Sequence, residues 1–124
     1  MSCALSFYRQ VEKANQLQTI VIPKSFTIAN TEITVNEKDF ASGRVDSDRA
    51  YYGEWFDPKN EITIYSSITL ETGEVVYLTG EQKENTFVHE LMHCFMFFAG
   101  MEQDERLAQT FANFVREYFA TVKY

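Results

Sequence analysis

Thr79-Gly80-Glu81-Gln82-Lys83-Glu84-Asn85-Thr86-Phe87-Val88-His89-Glu90-Leu91-Met92-His93-Cys94-Phe95-Met96-Phe97-Phe98-Ala99-Gly100 reads as a helix with both of its ends written into it. Thr79-Gly80-Glu81-Gln82 fits a capping box, in which the threonine hydroxyl and the glutamine side chain each satisfy a free backbone donor, and Glu81 lies at the positive end of the dipole. Gly100 is placed to adopt the left-handed conformation that closes a helix. The expected helix therefore runs from about Gly80 to Ala99. Its residues from Phe87 onward are apolar almost all round, which places it in an interior.

Both histidines of the chain fall inside this helix, as His89-Glu90-Leu91-Met92-His93. Four helical residues advance about 400°, so the two imidazoles stand roughly 40° apart and about 6 Å along the axis, and both can reach one metal ion. Glu90 lies about 100° round from His89, too far to be the natural third ligand and well placed to take a proton from water beside the metal. An accidental HExxH has odds of roughly 1 in 600 for this composition, so accident explains it poorly. Two imidazoles and a carboxylate carried into low dielectric are costly, and a divalent cation compensates them.

A catalytic zinc takes three protein ligands and keeps a position open. Beyond the turn, Leu107, Ala108, Phe111, Phe114, Val115 and Tyr118 mark a second amphipathic helix, which would run back along the first as a helical hairpin. The acids at its start are Glu102, Asp104 and Glu105. Glu105 comes level with His93 and meets the requirement best. Asp104, projecting near the middle of the Leu107, Phe111 and Phe114 face, is the rival ligand and equally a helix cap; Glu102 reads as a solvated loop charge. Cys94 points about 100° away from His93 and reads as a buried, inert thiol. Phe95, Phe97, Phe98, Phe111, Phe114 and Phe119 read mainly as core, and the apolar helix faces leave room for a homo-oligomer.

Upstream, Ala4, Leu5, Tyr8, Val11, Ala14 and Leu17 recur at helical intervals and predict an N-terminal amphipathic helix. Ser25 to Val35 alternates around Ala29-Asn30, a turn between two short strands. Asn36 to Arg49 is polar and reads as a surface loop. Ala50 to Phe56 and Glu61 to Ser67 are β-rich runs on either side of Asp57-Pro58-Lys59-Asn60, where Pro58 suits the second position of a turn, and Val75 to Leu78 is a further extended run. The expected architecture is α+β: an N-terminal helix, a small twisted sheet of three to five mostly antiparallel strands, and the helical hairpin packed against it.

At 124 residues the chain is close to one modal domain, so residues 1–124 are expected to form a single unit. Hydrophobic residues at 45% suffice for a core without disulfides, and Cys3 and Cys94 form no framework. With 11 basic against 18 acidic residues the net charge is −7, which argues against nucleic acid as the partner. No apolar stretch suits a membrane span, and Met1 to Lys13, carrying Arg9, Glu12 and Lys13, does not read as a signal peptide. A soluble protein of a reducing cytoplasm is expected.

Thr86-Phe87-Val88-His89-Glu90-Leu91-Met92-His93, followed by Glu105-Arg106-Leu107-Ala108-Gln109-Thr110-Phe111-Ala112, resembles the active-site helix and the ExxANxFA helix of the ImmA/IrrE-type zinc metallopeptidases, especially their small phage and mobile-element relatives. Gly53 with the Asp57 to Tyr65 hairpin, and Ile22-Pro23-Lys24, resemble upstream segments of that family more loosely. The resemblance implies a zincin-like fold and one Zn2+ per chain held by His89, His93 and Glu105. It also implies Glu90 as general base, a protein or peptide substrate, and a setting in a host cytoplasm. Gln109 stands where the family usually has Asn, and no helix-turn-helix segment is expected within residues 1–124. The expected activity is that of a gluzincin-like metalloendopeptidase. Candidate donors to the oxyanion are Tyr51, Tyr52, Tyr65 and Tyr77, and exposed strand edges suit an extended peptide. The alternatives are a catalytically silent zinc-binding interaction module and a metal-free domain with core histidines.

Overall fold

The computed structural model describes residues 21–40, 45–46, 49–50, 52–70 and 72–124; the expected helix over Ala4 to Leu17 lies outside them. In chain order the elements are β1 (Ser25–Ile28), β2 (Thr31–Phe40), β3 (Val45–Asp46), β4 (Arg49–Ala50), β5 (Gly53–Phe56), β6 (Glu61–Thr69), β7 (Val75–Tyr77), α1 (Gly80–Phe98) and α2 (Glu105–Thr121). This is an α+β layout. One sheet of five strands has the order β1-β2-β6-β5, and β7 joins the edge of β6 that β5 also uses. Three of its pairings are antiparallel, and β2 runs parallel to β6. β3 and β4 form a separate two-stranded pair.

Local chemistry sets the turns. Ile28 pairs with Thr31 across Ala29 and Asn30, which take φ of 50° and 58°. Positive φ at both central residues is the two-residue hairpin turn whose twist matches the strands; Asn tolerates it and Ala is strained there. Between β5 and β6, Asp57–Lys59 form one 3-10 turn with Pro58 inside it, and Asn60 closes it in the left-handed region while donating its N–H to the Asp57 carbonyl.

Asn36 to Phe40 continue β2 and are not loop, which corrects the reading of Asn36 to Arg49 as a surface loop. Glu37, Lys38 and Asp39 are exposed, so no apolar alternation announces this stretch; its pairing is made by backbone bonds to β6. A bulge interrupts the ladder, because Lys38 pairs with Tyr65 and Asp39 with Ser67, leaving Ser66 over. Ser66 and Ser67 hydroxyls both donate to Asp39 Oδ1, at 3.4 and 2.9 Å, and pin the bulge. On the other edge of β6, Tyr65 N–H reaches the Tyr52 carbonyl and Leu78 N–H the Ser66 carbonyl, so β5 gives way to β7 at the same point.

The helices cover one face of the sheet. Ile33 and Val35 of β2, Ile62 and Ile64 of β6, Phe87, Val88 and Cys94 of α1 and Ala112 of α2 form the main core. Each fully buried isoleucine contributes about 1.5–3 kcal/mol through removal from water. Beyond the bulge, Ile68 and Leu78 make a smaller cluster with Tyr65 and Leu70. Ala108 and Ala112 are the buried residues of α2, and their small side chains suit the line of contact with α1. Glu84 is buried near Arg116 of α2, with Oε1 at 4.0 Å from the guanidinium Nε, which offsets the cost of its charge.

The aromatic residues divide unevenly. Phe98 and Phe111 pack against the core, whereas Phe95, Phe97, Phe114 and Phe119 are exposed, Phe114 by 65%, which corrects their reading as core residues. One helix face can meet only one layer; Phe97 reaches it in part, with its ring centroid 5.8 Å from that of Trp55 on β5. No helix among the described residues is long and apolar enough to cross a membrane.

Candidate metal centre

The two ends of α1 are fixed by hydrogen bonds that the local sequence supplies. Thr79 Oγ1 accepts from the Gln82 N–H at 3.1 Å, and Gln82 Oε1 accepts from the Thr79 N–H at 2.9 Å, completing the capping box. At the other end Gly100 has φ of 70°, its N–H donates to the Phe97 carbonyl, and the Met101 N–H donates to the Met96 carbonyl. These paired bonds form a Schellman motif. The chain then turns back, and Asp104 caps α2 by accepting from the Leu107 N–H at 3.0 Å. Asp104, the rival third ligand, is thus committed to the backbone, and Glu105 is the first helical residue.

Glu105 points its carboxylate between the two imidazoles of α1. Its Oε1 lies 2.6 Å from His93 Nε2 and 3.1 Å from His89 Nε2, and its Oε2 lies 3.2 Å from His89 Nε2. The imidazole centroids are 5.0 Å apart, as expected for positions four apart on a helix. One ligand atom from each of His89, His93 and Glu105 falls within 4.8 Å of the others, so the three together can hold a metal ion. Burial opposes ionisation of Glu105, but hydrogen bonds from both imidazoles and their charges outweigh it and hold its pKa below the usual carboxylate value.

Each imidazole uses its other nitrogen on a glutamine. His89 Nδ1 lies 2.9 Å from Gln109 Oε1, and Gln109 Nε2 donates to Asn113 Oδ1 and Asn85 Oδ1 at 2.9 and 3.2 Å. His93 Nδ1 lies 2.6 Å from Gln103 Oε1, and Gln103 Nε2 donates to the His93 carbonyl at 3.0 Å. Gln109 drew notice in the sequence only as a departure from Asn. Gln103 drew none, because a polar residue in an exposed turn carries no motif.

Glu90 occupies the side of α1 that meets β5. It is only 8% exposed, and burial pushes its carboxyl up to about 7 against the opposing pull of the His89 and His93 charges, with Glu105 and Glu54 raising it further. Gly53 makes this approach of strand to helix possible. A Cβ there would lie 2.6 Å from Thr86 Cγ2, 2.7 Å from the Thr63 carbonyl oxygen and 3.4 Å from Glu90 Cγ. Among the described residues β5 pairs with β6 alone, so its outer edge has no strand partner there.

The remaining described candidates have settings of their own. Burial raises the Cys94 thiol to about 11, consistent with an inert core residue. Tyr52 borders a cleft of about 290 Å³ with Gln82, Asn85, Thr86, Asn113 and Arg116; Tyr65 packs in the smaller core cluster; Tyr77 is 72% exposed; Tyr51 is outside the described residues. Glu102 is exposed in the turn. Comparisons of the chain with protein-family models, with curated proteins and with solved structures return no match.

Proposed function

We propose that the protein is a zinc-dependent peptidase of the ImmA/IrrE type. The observation that carries this reading is the convergence of His89 Nε2, His93 Nε2 and the Glu105 carboxylate within 4.8 Å, on the same helical hairpin as buried Glu90. Two imidazole nitrogens and one carboxylate oxygen suit zinc by donor type, and three protein donors leave a position for water or substrate. Zinc held by His89, His93 and Glu105 would supply a Lewis acid able to polarise a scissile carbonyl and make water more acidic.

Glu90 then acts as the base. Its carboxylate takes a proton from the attacking water and returns it to the departing amide nitrogen, and the raised pKa matches a group that must both accept and release that proton. Among the described residues the outer edge of β5 has no strand partner and Gly53 on it lies against Glu90, so an extended peptide adding to this edge would pass close to that carboxylate. This favours flexible protein segments as substrates.

Two measurements test the reading together. Protein reconstituted with zinc should carry one ion per chain, and Glu90→Gln should retain it while losing cleavage of an unfolded protein by a factor of about 100 to 10,000. Absence of stoichiometric zinc overturns the reading at its base. Zinc without Glu90-dependent cleavage turns it toward a silent zinc-binding interaction module, which the exposed Leu107, Phe114 and Tyr118 stripe on α2 favours and through which copies of the chain could associate.

A further inference from the structure

We infer that Gln103, in the turn between the helices and outside both sequence motifs, is a positioning residue that locks His93 as the Nδ1–H tautomer and aims its Nε2 lone pair at the metal. The inference rests on the metal-centre reading above.

The argument begins with the amide. Gln103 Nε2 donates to the carbonyl oxygen of His93 itself at 3.0 Å. Reversing the amide would set its oxygen against that carbonyl, two acceptors face to face, so the orientation is fixed. Gln103 Oε1 must then face His93 Nδ1, which it does at 2.6 Å. An amide oxygen only accepts, so Nδ1 must carry a proton, and Nε2 is the nitrogen turned toward Glu105 Oε1, 2.6 Å away, where a metal ion would take its lone pair. One side chain thus grips the backbone and the ring of the same residue, which fixes ring rotation as well as tautomer. Such partners of metal-binding imidazoles orient the ligand and tune its basicity. A neutral amide does this without adding charge to the centre.

The turn geometry makes the grip possible. The Schellman closure at Gly100 and the Asp104 cap hold the chain at both ends of a short connection, and Gln103 lies one residue before that cap. His89 is served differently, by Gln109 from within α2, backed by Asn85 and Asn113.

The test compares Gln103→Leu, Gln103→Glu and, as a control in the same turn, Glu102→Ala. Zinc affinity is read by chelator competition, and the His93 tautomer by long-range 1H–15N correlation in zinc-free and zinc-loaded protein at pH 8. Gln103→Leu should weaken zinc binding about 10- to 100-fold and abolish the protected Nδ1–H signal of His93. Gln103→Glu, which keeps an acceptor for Nδ1–H but loses the donor to the His93 carbonyl, should bind zinc between Gln103→Leu and the wild type, and Glu102→Ala should match the wild type. Unchanged affinity and an unchanged tautomer in Gln103→Leu overturn the inference. A wild-type protein that shows the Nδ1–H tautomer but takes up no zinc upholds the grip and overturns the metal centre, so the two failures are distinguishable.

Discussion

The helical layer and the sheet divide the work unequally. Among the described residues, every atom of the candidate metal cluster and every polar partner of its imidazoles comes from α1, α2 or the turn between them. The sheet supplies apolar support through Ile33, Val35, Ile62 and Ile64, and one point of clearance at Gly53, where the lack of a side chain lets β5 lie against Thr86 and Glu90. Chemistry is thus held by the layer with local hydrogen bonds, and stability by the layer with long-range pairing. The two should fail separately when each is damaged on its own ground.

The largest separation is expected from His89→Ala. It should abolish stoichiometric zinc while costing the metal-free protein only about 1–3 kcal/mol, the worth of its hydrogen bonds to Gln109 and Glu105; zinc analysis beside thermal melts of the metal-free form checks this. Ile64→Ala is the converse. Its side chain is fully buried, so chemical denaturation should show a loss of about 2–5 kcal/mol, with zinc binding retained wherever the variant stays folded. Gly53→Ala should break the division, because the added Cβ meets both a backbone oxygen and the helix. A loss of about 1–3 kcal/mol is expected, together with displacement of Glu90 and reduced turnover at unchanged zinc content. A fully active Gly53→Ala variant would show that the clearance is not needed.

Smaller effects test how local each layer is. Thr79→Ala removes one half of the capping box and should cost about 1 kcal/mol in denaturant titrations without altering zinc affinity. Ala29→Gly relieves a strained left-handed residue in the sheet's first turn and should stabilise by about 0.4–1 kcal/mol. An Ala29→Gly variant less stable than the parent would contradict the turn geometry.

What the sequence revealed follows from the range of the forces involved. The capping box at Thr79, the left-handed Gly100, the Ala29-Asn30 turn and the spacing of His89, Glu90 and His93 are each decided within a few residues, and they could be read directly. Glu105 was reachable because a short turn constrains where α2 can begin. The continuation of β2 through Lys38 and Asp39 was hidden, since it depends on a parallel partner far along the chain and shows no apolar alternation. The exposure of Phe114 and Phe95 was hidden for a related reason: an aromatic residue on a helix does not say which face finds a neighbour. Gln103 was invisible because its role depends on a backbone closure that places it, and its own residue type is ordinary in a turn.

The shortness of the helical connection also bears on the order of folding. His89 and Glu105 are 16 residues apart and His93 and Glu105 only 12, whereas joining β2 to β6 requires Thr34 to find Glu61. Closing a small loop between two helices is fast, and parallel strand pairing across a long crossover is slow. The hairpin that carries the candidate metal cluster can therefore assemble while the sheet is still incomplete. An ion captured at that stage of refolding would act as a nucleus on which β5 and β6 later dock, making metal supply a determinant of how quickly the complete chain refolds.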